Sequence, residues 1–315
     1  MQKQTPRILA ISMIPPDLKA ALDKKYGIAD YTTLGGAPGK PVTAPGYNIA
    51  VTMGVFGIDA PTFAALPDLK LVACNGAGLE KIDLVEAHRR GVAVCHTPDE
   101  LAEDVADGAI GLTYAIMRRI VEGDRFVRAG TWAKERPMPS TRLAGKTMGI
   151  VGLGKIGSHI AKRAQAIGMI VKYSGPREKP GAGFPFVADV GTLAAECDVL
   201  VLACPGGETT RNLVNRGVIE KLGVKGYLVN VSRGSVVEEG ALLDALEGKK
   251  IAGAALDVFA SEPNIDPRFL ALDNVVLQPH SASITHETRA AMVARLLGDI
   301  DAFVNGRPFF NAAAK

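Results

Sequence analysis

The stretch "GIVGLGKIG", residues 149–157, decides the fold of this chain of 315 residues. An apolar run ends inside it and the helical pattern "SHIAKRAQAIG" follows it, so the glycines lie at a strand-to-helix turn. In that context the spacing GxGxxG predicts a dinucleotide-binding turn. Gly152 permits the turn, Gly154 lets the backbone approach a pyrophosphate, and Gly157 lets the helix pack on the strand.

The helix after the glycine turn is expected to contribute backbone amides to the phosphates. Lys155 and Ile156 stand at its start, where exposed N–H groups face an anion. Lys155 is expected to contact the phosphates through its backbone amide and not through its charged side chain. The alternative is that the glycines serve only a tight strand-to-helix turn.

The next strand runs into a basic loop, "MIVKYSGPREKP", residues 169–180. An Asp or Glu expected about 20 residues after the glycines would bind the ribose 2′-hydroxyl of NAD. Ser174 and Gly175 stand there instead, with Arg177 and Lys179 just beyond. The Ser174 hydroxyl, the free amides and the Arg177 guanidinium would receive a 2′-phosphate that a carboxylate would repel. NADPH is therefore the predicted cofactor. NAD stays possible if the loop is solvated and Glu178 turns inward.

Short apolar runs alternate with helical patterns along nearly the whole chain, which is typical of parallel sheets covered by helices on both faces. The predicted fold class is α/β, with two Rossmann-like, doubly wound parallel-sheet domains and the active site in the cleft between them. The dinucleotide domain, residues 99–285, is predicted to be inserted into a discontinuous substrate-binding domain, residues 1–98 and 286–315. The ten predicted strands are RILAIS, YNIAVTM, LKLVACN, VAVCHT, TMGIVGLG, MIVKYS, CDVLVLACP, GYLVNVS, IAGAALDVF and NVVLQPH.

Two helices are predicted at the crossings between the domains. One covers residues 97–123, because Thr97 and Glu100 have capping-box spacing and Pro98 suits the first helical position. The other covers about 285–305 and follows the last strand.

Composition excludes several classes of function. A net charge of +3 with scattered basic residues does not indicate a nucleic-acid surface. No apolar run approaches the roughly 20 residues that span a bilayer, and the start of the chain resembles a first strand more than a signal peptide. The four cysteines form no CxxC pair and have no histidine at metal spacing, which favours a cytoplasmic protein with reduced thiols and no metal.

Seven segments, in order, resemble the D-2-hydroxyacid dehydrogenase family, specifically its glyoxylate/hydroxypyruvate reductase branch. The resemblance covers nearly all of the chain. The segments are CNGAGLEKIDL, HTPDELAEDVADGAIGL, GIVGLGKIG, ACPGGETTRNLVN, NVSRGSVVEEGALLDAL, IAGAALDVFASEP and NVVLQPHSASITHETR.

The resemblance implies three catalytic residues: Arg233 in "SRG", Glu262 in "SEP" and His280 in "QPH". Each follows a predicted strand, at the sheet edge where open α/β folds bind ligands. A histidine can donate a proton near neutral pH, and a neighbouring carboxylate favours the imidazolium. Arg233 would bind the substrate carboxylate and polarise the carbonyl. Without the resemblance, Arg233 would be interpreted as a turn residue, Glu262 as a loop acid and His280 as a cap or packing residue. The remaining histidines are assigned to the surface or to packing: His88, His96, His159 and His286.

The resemblance also implies binding contacts. The backbone of the loop Asn75, Gly76, Ala77 and Gly78 would cradle the substrate carboxylate, with residues 53–57 as a second wall. The sequence departs from the family pattern at four positions, so the resemblance does not predict the shape of the pocket. These positions are Leu79, Glu80, Ser281 and Ser283. Asp257 would meet the nicotinamide amide, and the other implied cofactor contacts are Cys204, Pro205, Thr210, Val231, Ser232 and Ser283.

Trp132 resembles a residue that family members present to a partner subunit, so a homodimer is expected. The predicted function is NADPH-dependent reduction of glyoxylate and hydroxypyruvate to D-2-hydroxy acids. Two alternatives stay open: an NADH-dependent dehydrogenase for a bulkier 2-oxo acid, and a non-catalytic, cofactor-sensing binding protein. The end at Lys315, without a disordered tail or regulatory domain, disfavours corepressor and phosphoglycerate dehydrogenase relatives.

Overall fold

The computed structural model describes residues 6–36 and 43–312. The chain divides into two compact units, Met1–Leu101 with Thr285–Lys315, and Ala102–Ile284. The first contains a five-stranded sheet and the second a six-stranded sheet, and every strand pair in both is parallel. The predicted α/β class with two parallel-sheet domains is therefore confirmed.

The strands of the first unit have the order β2-β1-β3-β4-β5, and those of the second have the order β11-β10-β9-β8-β6-β7. Each of the ten predicted strands has a counterpart. The strands are β1 Ile8–Ala10, β2 Ile28–Asp30, β3 Ile49–Met53, β4 Leu71–Asn75, β5 Ala93–His96, β6 Thr147–Val151, β7 Ile170–Ser174, β8 Val199–Leu202, β9 Tyr227–Asn230, β10 Gly253–Leu256 and β11 Val275–Leu277.

The helices cover the faces of the sheets, as parallel strands require because each crossover must pass over a face. The helices are α1 Pro16–Tyr26, α2 Ala60–Ala65, α3 Leu84–Arg89, α4 Ala102–Met117, α5 Ile120–Arg128, α6 Lys155–Ala166, α7 Val190–Ala195, α8 Arg216–Leu222, α9 Glu239–Glu247, α10 Arg268–Ala271 and α11 His286–Val304.

In the first unit, alternate residues of each strand pack on opposite faces of the sheet. Val72 and Cys74 of β4 belong to a core with Phe63 of α2, while Leu71 and Ala73 belong to a core with α1 and α11. Burial on both faces explains why these strands appear in the sequence as continuous apolar runs.

In the second unit, the strand order reverses between β6 and β8. From β6 the chain moves to β7 at one edge of the sheet, then crosses back to β8 and continues to β11 at the other edge. One face of this sheet shares a core with α7, α8 and α9. Open α/β sheets bind ligands at such a reversal, outside the carboxyl ends of the strands.

The long helix predicted over residues 97–123 is wrong. α4 begins at Ala102 and ends at Met117, and α5 begins at Ile120. Arg119, with φ 54°, lies in the left-handed region between them, and its guanidinium contacts Glu122 at 2.5 Å. The apolar repeat continues through the break without glycine or proline, so the sequence carries no signal for it.

The predicted capping box is wrong as well, because Thr97 and Glu100 lie before the helix. The Thr97 hydroxyl accepts a hydrogen bond from the Gly76 amide at 3.0 Å instead. Strand β2 was not predicted, because its three residues at the sheet edge are too few to show alternation. The final helix, His286–Val304 capped by Thr285, agrees with the prediction.

Candidate active site

One edge of the six-stranded sheet collects the predicted site residues of the second unit. Strands β11, β10 and β9 are neighbours, so the loops after their carboxyl ends are adjacent. Those loops carry His280, then Asp257 and Glu262, then Arg233. β8, β6 and β7 continue the same edge, and the loops after them carry Cys204, the glycine turn and the basic loop.

His280 and Glu262 form a hydrogen-bonded pair. The Nδ1 atom of His280 lies 2.8 Å from Oε2 of Glu262. The other carboxylate oxygen accepts a hydrogen bond of 2.9 Å from the Phe259 amide, which fixes the carboxylate orientation. The side chains are 30% and 28% exposed, so the pair remains accessible to a small molecule. Because Nδ1 is held by the carboxylate, Nε2 is the ring nitrogen left for a substrate.

The charge of Glu262 is stabilised by its surroundings. Burial by itself raises its pKa, but hydrogen bonds from His280 and the Phe259 amide lower it, as do the charges of His280 and Arg233. The net result is a pKa below the ordinary value. The carboxylate is therefore ionised near neutral pH, and it lies within hydrogen-bond distance of the His280 ring.

Arg233 follows β9 in a turn that the backbone holds tightly. The Asn230 amide group donates to the Arg233 carbonyl at 3.0 Å, and the Arg233 guanidinium donates to the Ser232 carbonyl at 2.8 Å. Next in the chain, Gly234 packs so closely on the Phe259 backbone that a Cβ atom would overlap it. Only glycine permits this approach, which brings the arginine loop against the loop that leads to Glu262.

Asp257 supports the loop that carries His280. Its side chain is 2% exposed, and its carboxylate accepts hydrogen bonds from the amides of Ser281 at 2.7 Å and Ala282 at 3.1 Å. Burial raises the pKa of Asp257, although the two amides oppose the rise. His280 itself has φ 54°, a left-handed conformation that a non-glycine residue adopts only when its surroundings impose it.

The glycine turn has the geometry that a dinucleotide needs. Gly152 has φ 93°, and a Cβ atom there would lie 2.6 Å from the Cys204 amide nitrogen, so the turn packs on the loop after β8. A Cβ atom at Gly157 would overlap the Gly152 carbonyl oxygen. At Gly154, by contrast, no heavy atom of the described chain lies within 4 Å of an added Cβ atom, as an approach by phosphate requires.

The loop after β7 folds back onto the glycine turn. The Lys179 ammonium contacts the Leu153 carbonyl at 2.5 Å, and its amide donates to the Tyr173 hydroxyl at 2.7 Å. Arg177 and Glu178 are exposed, so Glu178 is not turned inward. The Lys179 ammonium is thus held beside the glycine turn.

Ser174 departs from its predicted contact. It is 1% exposed, and its hydroxyl donates to the Ala188 carbonyl at 3.2 Å. The hydroxyl is therefore directed into the protein, and the groups of this loop that stand open to a phosphate are Gly175 and Arg177.

The other implied cofactor contacts line the neighbouring loops. The buried Ser232 hydroxyl donates to the Cys204 carbonyl, which ties the loops after β9 and β8 together. The Thr210 hydroxyl donates to the Pro205 carbonyl at 2.8 Å and closes the loop between them. Val231 is buried beside Ser232, and Ser283 lies in the loop that follows His280.

The predicted substrate loop lies in the first unit, after β4. Besides accepting from the Gly76 amide, Thr97 donates its own amide to the Gly76 carbonyl at 3.0 Å. The His96 Nδ1 atom lies 2.9 Å from the Ala77 carbonyl. The Gly76 amide therefore already donates a hydrogen bond within the protein. Of the amides predicted to bind the substrate carboxylate, those of Ala77 and Gly78 follow it in the loop.

Three residues support these two loops. From the sequence, Thr97 is predicted as a helix cap and Lys179 only as a neighbour of Arg177. His96, predicted at the surface or in packing, does pack on the Phe310 ring and also contacts the Ala77 carbonyl. Each acts on a loop distant from it in the chain. Of the three, Lys179 alone gave a local signal, as a second cation in the basic loop.

A dinucleotide turn and a carboxylate-bound histidine along one sheet edge define an oxidoreductase that uses a nicotinamide cofactor. Residues 110–282 match the family model described as D-isomer specific 2-hydroxyacid dehydrogenase, NAD binding domain. The chain belongs to the D-2-hydroxyacid dehydrogenase family, in its glyoxylate/hydroxypyruvate reductase branch, and is an NAD(P)-dependent enzyme.

Similar proteins share nearly the whole chain. It is 43% identical to a 2-ketogluconate reductase of Gluconobacter oxydans, over 95% of each chain. It is 40% identical to glyoxylate/hydroxypyruvate reductase A of Arabidopsis thaliana, over 92% of this chain and 93% of that one. A crystal structure of an NADPH-dependent glyoxylate/hydroxypyruvate reductase of Sinorhizobium meliloti, with NADP and malonate, superposes with a TM-score of 0.88 at 36% identity, over 95% and 94% of the chains.

Within residues 6–36 and 43–312, no group of three or more His, Cys, Asp and Glu side chains could hold a metal ion. No helix in the same part of the chain combines the length and the apolar character that crossing a membrane requires.

Proposed function

We propose that the protein reduces small 2-oxo acids, glyoxylate and hydroxypyruvate, to 2-hydroxy acids of the D series with NADPH. The observation that carries the proposal is the 2.8 Å contact between His280 and Glu262. Reduction of a carbonyl to an alcohol requires a proton donor, and a histidine held by an ionised carboxylate meets that need.

The three catalytic roles follow from the site chemistry. When bound, the nicotinamide supplies a hydride to the carbonyl carbon. His280 donates a proton from Nε2 to the carbonyl oxygen, and Glu262 orients the imidazole through Nδ1. Arg233 binds the substrate carboxylate and stabilises the negative charge that develops on the oxygen.

The substrate carboxylate is also assigned to the loop after β4. Because Thr97 engages the Gly76 amide, we assign the carboxylate to the amides of Ala77 and Gly78. The hydrogen bond between His96 and the Ala77 carbonyl supports that conformation. Asn75 is the last residue of β4, and its place in the strand fixes where this loop begins.

The cofactor is assigned to the carboxyl edge of the six-stranded sheet. The amides after Gly154 hold the pyrophosphate, and Arg177 with the Gly175 amide receives the 2′-phosphate of NADPH. The Asp257 carboxylate is assigned to accept a hydrogen bond from the nicotinamide amide. It would use oxygen lone pairs other than those that bind the Ser281 and Ala282 amides. The Sinorhizobium meliloti relative, described as NADPH-dependent, supports this preference.

We assign substrate binding to residues 1–98 and 286–315 and cofactor binding to residues 99–285. The protein is proposed to act as a homodimer in the cytoplasm. None of the residues of α5 is buried, and Ile120 and Val127 on it are each 54% exposed. Trp132 is 57% exposed beside them in sequence. A second copy of the chain would cover these apolar side chains.

A second candidate is reduction of a bulkier 2-oxo acid with NADH. The names of two relatives favour the bulkier substrate: the 2-ketogluconate reductase at 43% identity, and a hydroxyphenylpyruvate reductase of Plectranthus scutellarioides at 39% identity, over 92% of this chain. The burial of the Ser174 hydroxyl also removes one of the groups expected to favour NADPH.

Steady-state kinetics with both cofactors test the two candidates. The panel contains glyoxylate, hydroxypyruvate, 2-ketogluconate and hydroxyphenylpyruvate. The proposal expects the highest kcat/KM for glyoxylate or hydroxypyruvate with NADPH. A higher kcat/KM for a bulky acid with NADH would establish the second candidate, and no reduction of any oxo acid would contradict both.

A further inference from the structure

The two amides assigned to the substrate carboxylate, those of Ala77 and Gly78, are oriented by hydrogen bonds to the opposite sides of their own peptide groups. The Gly76 carbonyl accepts from the Thr97 amide at 3.0 Å. The Ala77 carbonyl lies 2.9 Å from His96 Nδ1, and because a carbonyl oxygen only accepts, Nδ1 carries the proton. In a trans peptide the C=O and N–H bonds point in opposite directions, so both amides are directed away from the end of β5.

These two amides form a small anion-binding surface. Neither of them donates a hydrogen bond within residues 6–36 and 43–312, although their loop is half-buried. Successive backbone amides that point to one side bind anions. The direction of this surface depends on the two bonds from the end of β5, and of those two bonds the one from His96 is made by a side chain.

The end of the chain lies along β5, which is at one edge of the five-stranded sheet. The Asn311 side-chain oxygen accepts a hydrogen bond of 2.9 Å from the Val94 amide. Phe309 packs with the core on one face of the sheet, and Ala312 packs with the core on the other. Residues 309–312 therefore wrap around the edge and are fixed at three points. Covering an edge strand is by itself a common way to prevent its pairing with another chain.

Phe310 makes a contact that covering the edge does not require. Its ring lies against the His96 imidazole, with the ring centres 5.5 Å apart. The residue is 39% exposed, so it is not part of the core. Because the residues on both sides of Phe310 are fixed, its ring restricts the imidazole that binds the Ala77 carbonyl.

We propose that His96 and Phe310 are positioning residues for the substrate carboxylate. Phe310 holds the imidazole, the imidazole holds the Ala77 carbonyl, and that carbonyl directs the Gly78 amide toward the carboxylate. The inference rests on the proposed reduction of 2-oxo acids and includes no contact between His96 and the substrate. The carboxylate is bound alike before and during hydride transfer, so weaker binding of it raises KM and leaves kcat nearly unchanged.

Two variants of His96 separate its hydrogen bond from its packing. His96→Leu keeps an apolar contact with Phe310 and loses the donor, whereas His96→Asn supplies an amide nitrogen near the place of Nδ1. With NADPH saturating and glyoxylate varied, we expect His96→Leu to raise KM about three- to tenfold, the scale of one hydrogen bond, and to change kcat less than about twofold. His96→Asn should have a KM within about twofold of the wild-type value.

Phe310→Ala tests whether the end of the chain acts through the imidazole. We expect KM to rise about twofold or more, and to rise no further when Phe310→Ala is added to His96→Leu, because two residues that act through one contact are not additive. His88→Leu, at an exposed histidine of α3 in the same unit, should leave KM unchanged. Thermal unfolding and NADPH titration show that each variant is folded. If His96→Leu does not fold, His96→Ala takes its place, with the same expected KM.

Several outcomes overturn the inference. An unchanged KM in folded His96→Leu, with glyoxylate still reduced, would refute it and leave the proposed function standing. A His96→Asn variant no better than His96→Leu would reduce His96 to a packing role. Additive increases in the double variant would remove Phe310 from the positioning role. A wild-type enzyme that reduces no 2-oxo acid would refute the proposed function, and the inference with it.

Discussion

His280 Nδ1 and Glu262 Oε2 lie 2.8 Å apart, although 18 residues separate them in the chain. The contact arises because β10 and β11 are neighbouring strands, and each residue lies in the loop after one of them. The Asp257 carboxylate fixes the histidine loop through two amides, and the Phe259 amide fixes Glu262. Three hydrogen bonds from backbone amides thus orient the pair.

Replacement of His280 by Ala should abolish oxo-acid reduction while cofactor binding persists. Loss of a general acid costs about 10²- to 10⁴-fold in rate, and the glycine turn does not depend on this side chain. Stopped-flow or steady-state assays measure the first effect, and fluorescence titration with NADPH measures the second. His286→Ala, at an exposed histidine six residues on, serves as the control. An active His280→Ala enzyme would remove His280 from the proton-donor role.

Glu262→Gln should destabilise the protein more at neutral pH than in acid. The pKa of Glu262 is lowered in the folded state, so its contribution is present above the ordinary range of a glutamate and is lost as pH falls through the lowered pKa. We expect a decrease of about 1 kcal/mol in the free energy of unfolding at pH 7, and a smaller decrease at pH 3. Urea denaturation at both pH values measures it. A difference that grows in acid would contradict the assignment.

Gly157→Ala should destabilise the protein, and Gly154→Ala should not. At Gly154 an added Cβ atom meets no heavy atom of the described chain within 4 Å, so the variant should keep its stability and lose affinity for the dinucleotide. At Gly157 the Cβ atom would overlap the Gly152 carbonyl oxygen, so the free energy of unfolding should fall by about 1–3 kcal/mol. Thermal unfolding and cofactor titration separate the two. Equal destabilisation would exclude a ligand-facing role for Gly154.

Arg177→Ala should weaken NADPH binding about 10- to 100-fold, the scale of a charge-assisted hydrogen bond, and leave NADH binding unchanged. Dissociation constants for both cofactors measure this. Lys225→Ala removes an exposed cation elsewhere in the same unit and should change neither constant. An Arg177 variant with unchanged cofactor preference would place the 2′-phosphate elsewhere, with Lys179 the next residue to test.

Val127→Glu should convert the proposed dimer to a monomer, since it places a charge on the exposed apolar side of α5. Sedimentation velocity measures the mass. Val85→Glu is the matched control, because Val85 is 81% exposed on α3 and lies in the other unit. A monomeric wild-type protein would contradict the dimer.

Much of the fold could be predicted from the sequence. Alternation of apolar runs with helical patterns identified ten of the described strands, because both faces of a parallel sheet are buried and leave a strong local signal. Two features were not predicted: the break at Arg119 and the edge strand Ile28–Asp30. A left-handed non-glycine residue and a three-residue strand leave almost no signal in the sequence.

The sequence by itself determined the two sheets, the glycine turn and the family, since each depends on residues close together in the chain. Only the tertiary structure decided which groups meet. It showed that Thr97 engages the Gly76 amide, that Lys179 contacts Leu153 and that the Ser174 hydroxyl is directed inward. The physical reason is that such contacts depend on the order of strands in a sheet and on how loops pack, neither of which is a local property of the chain.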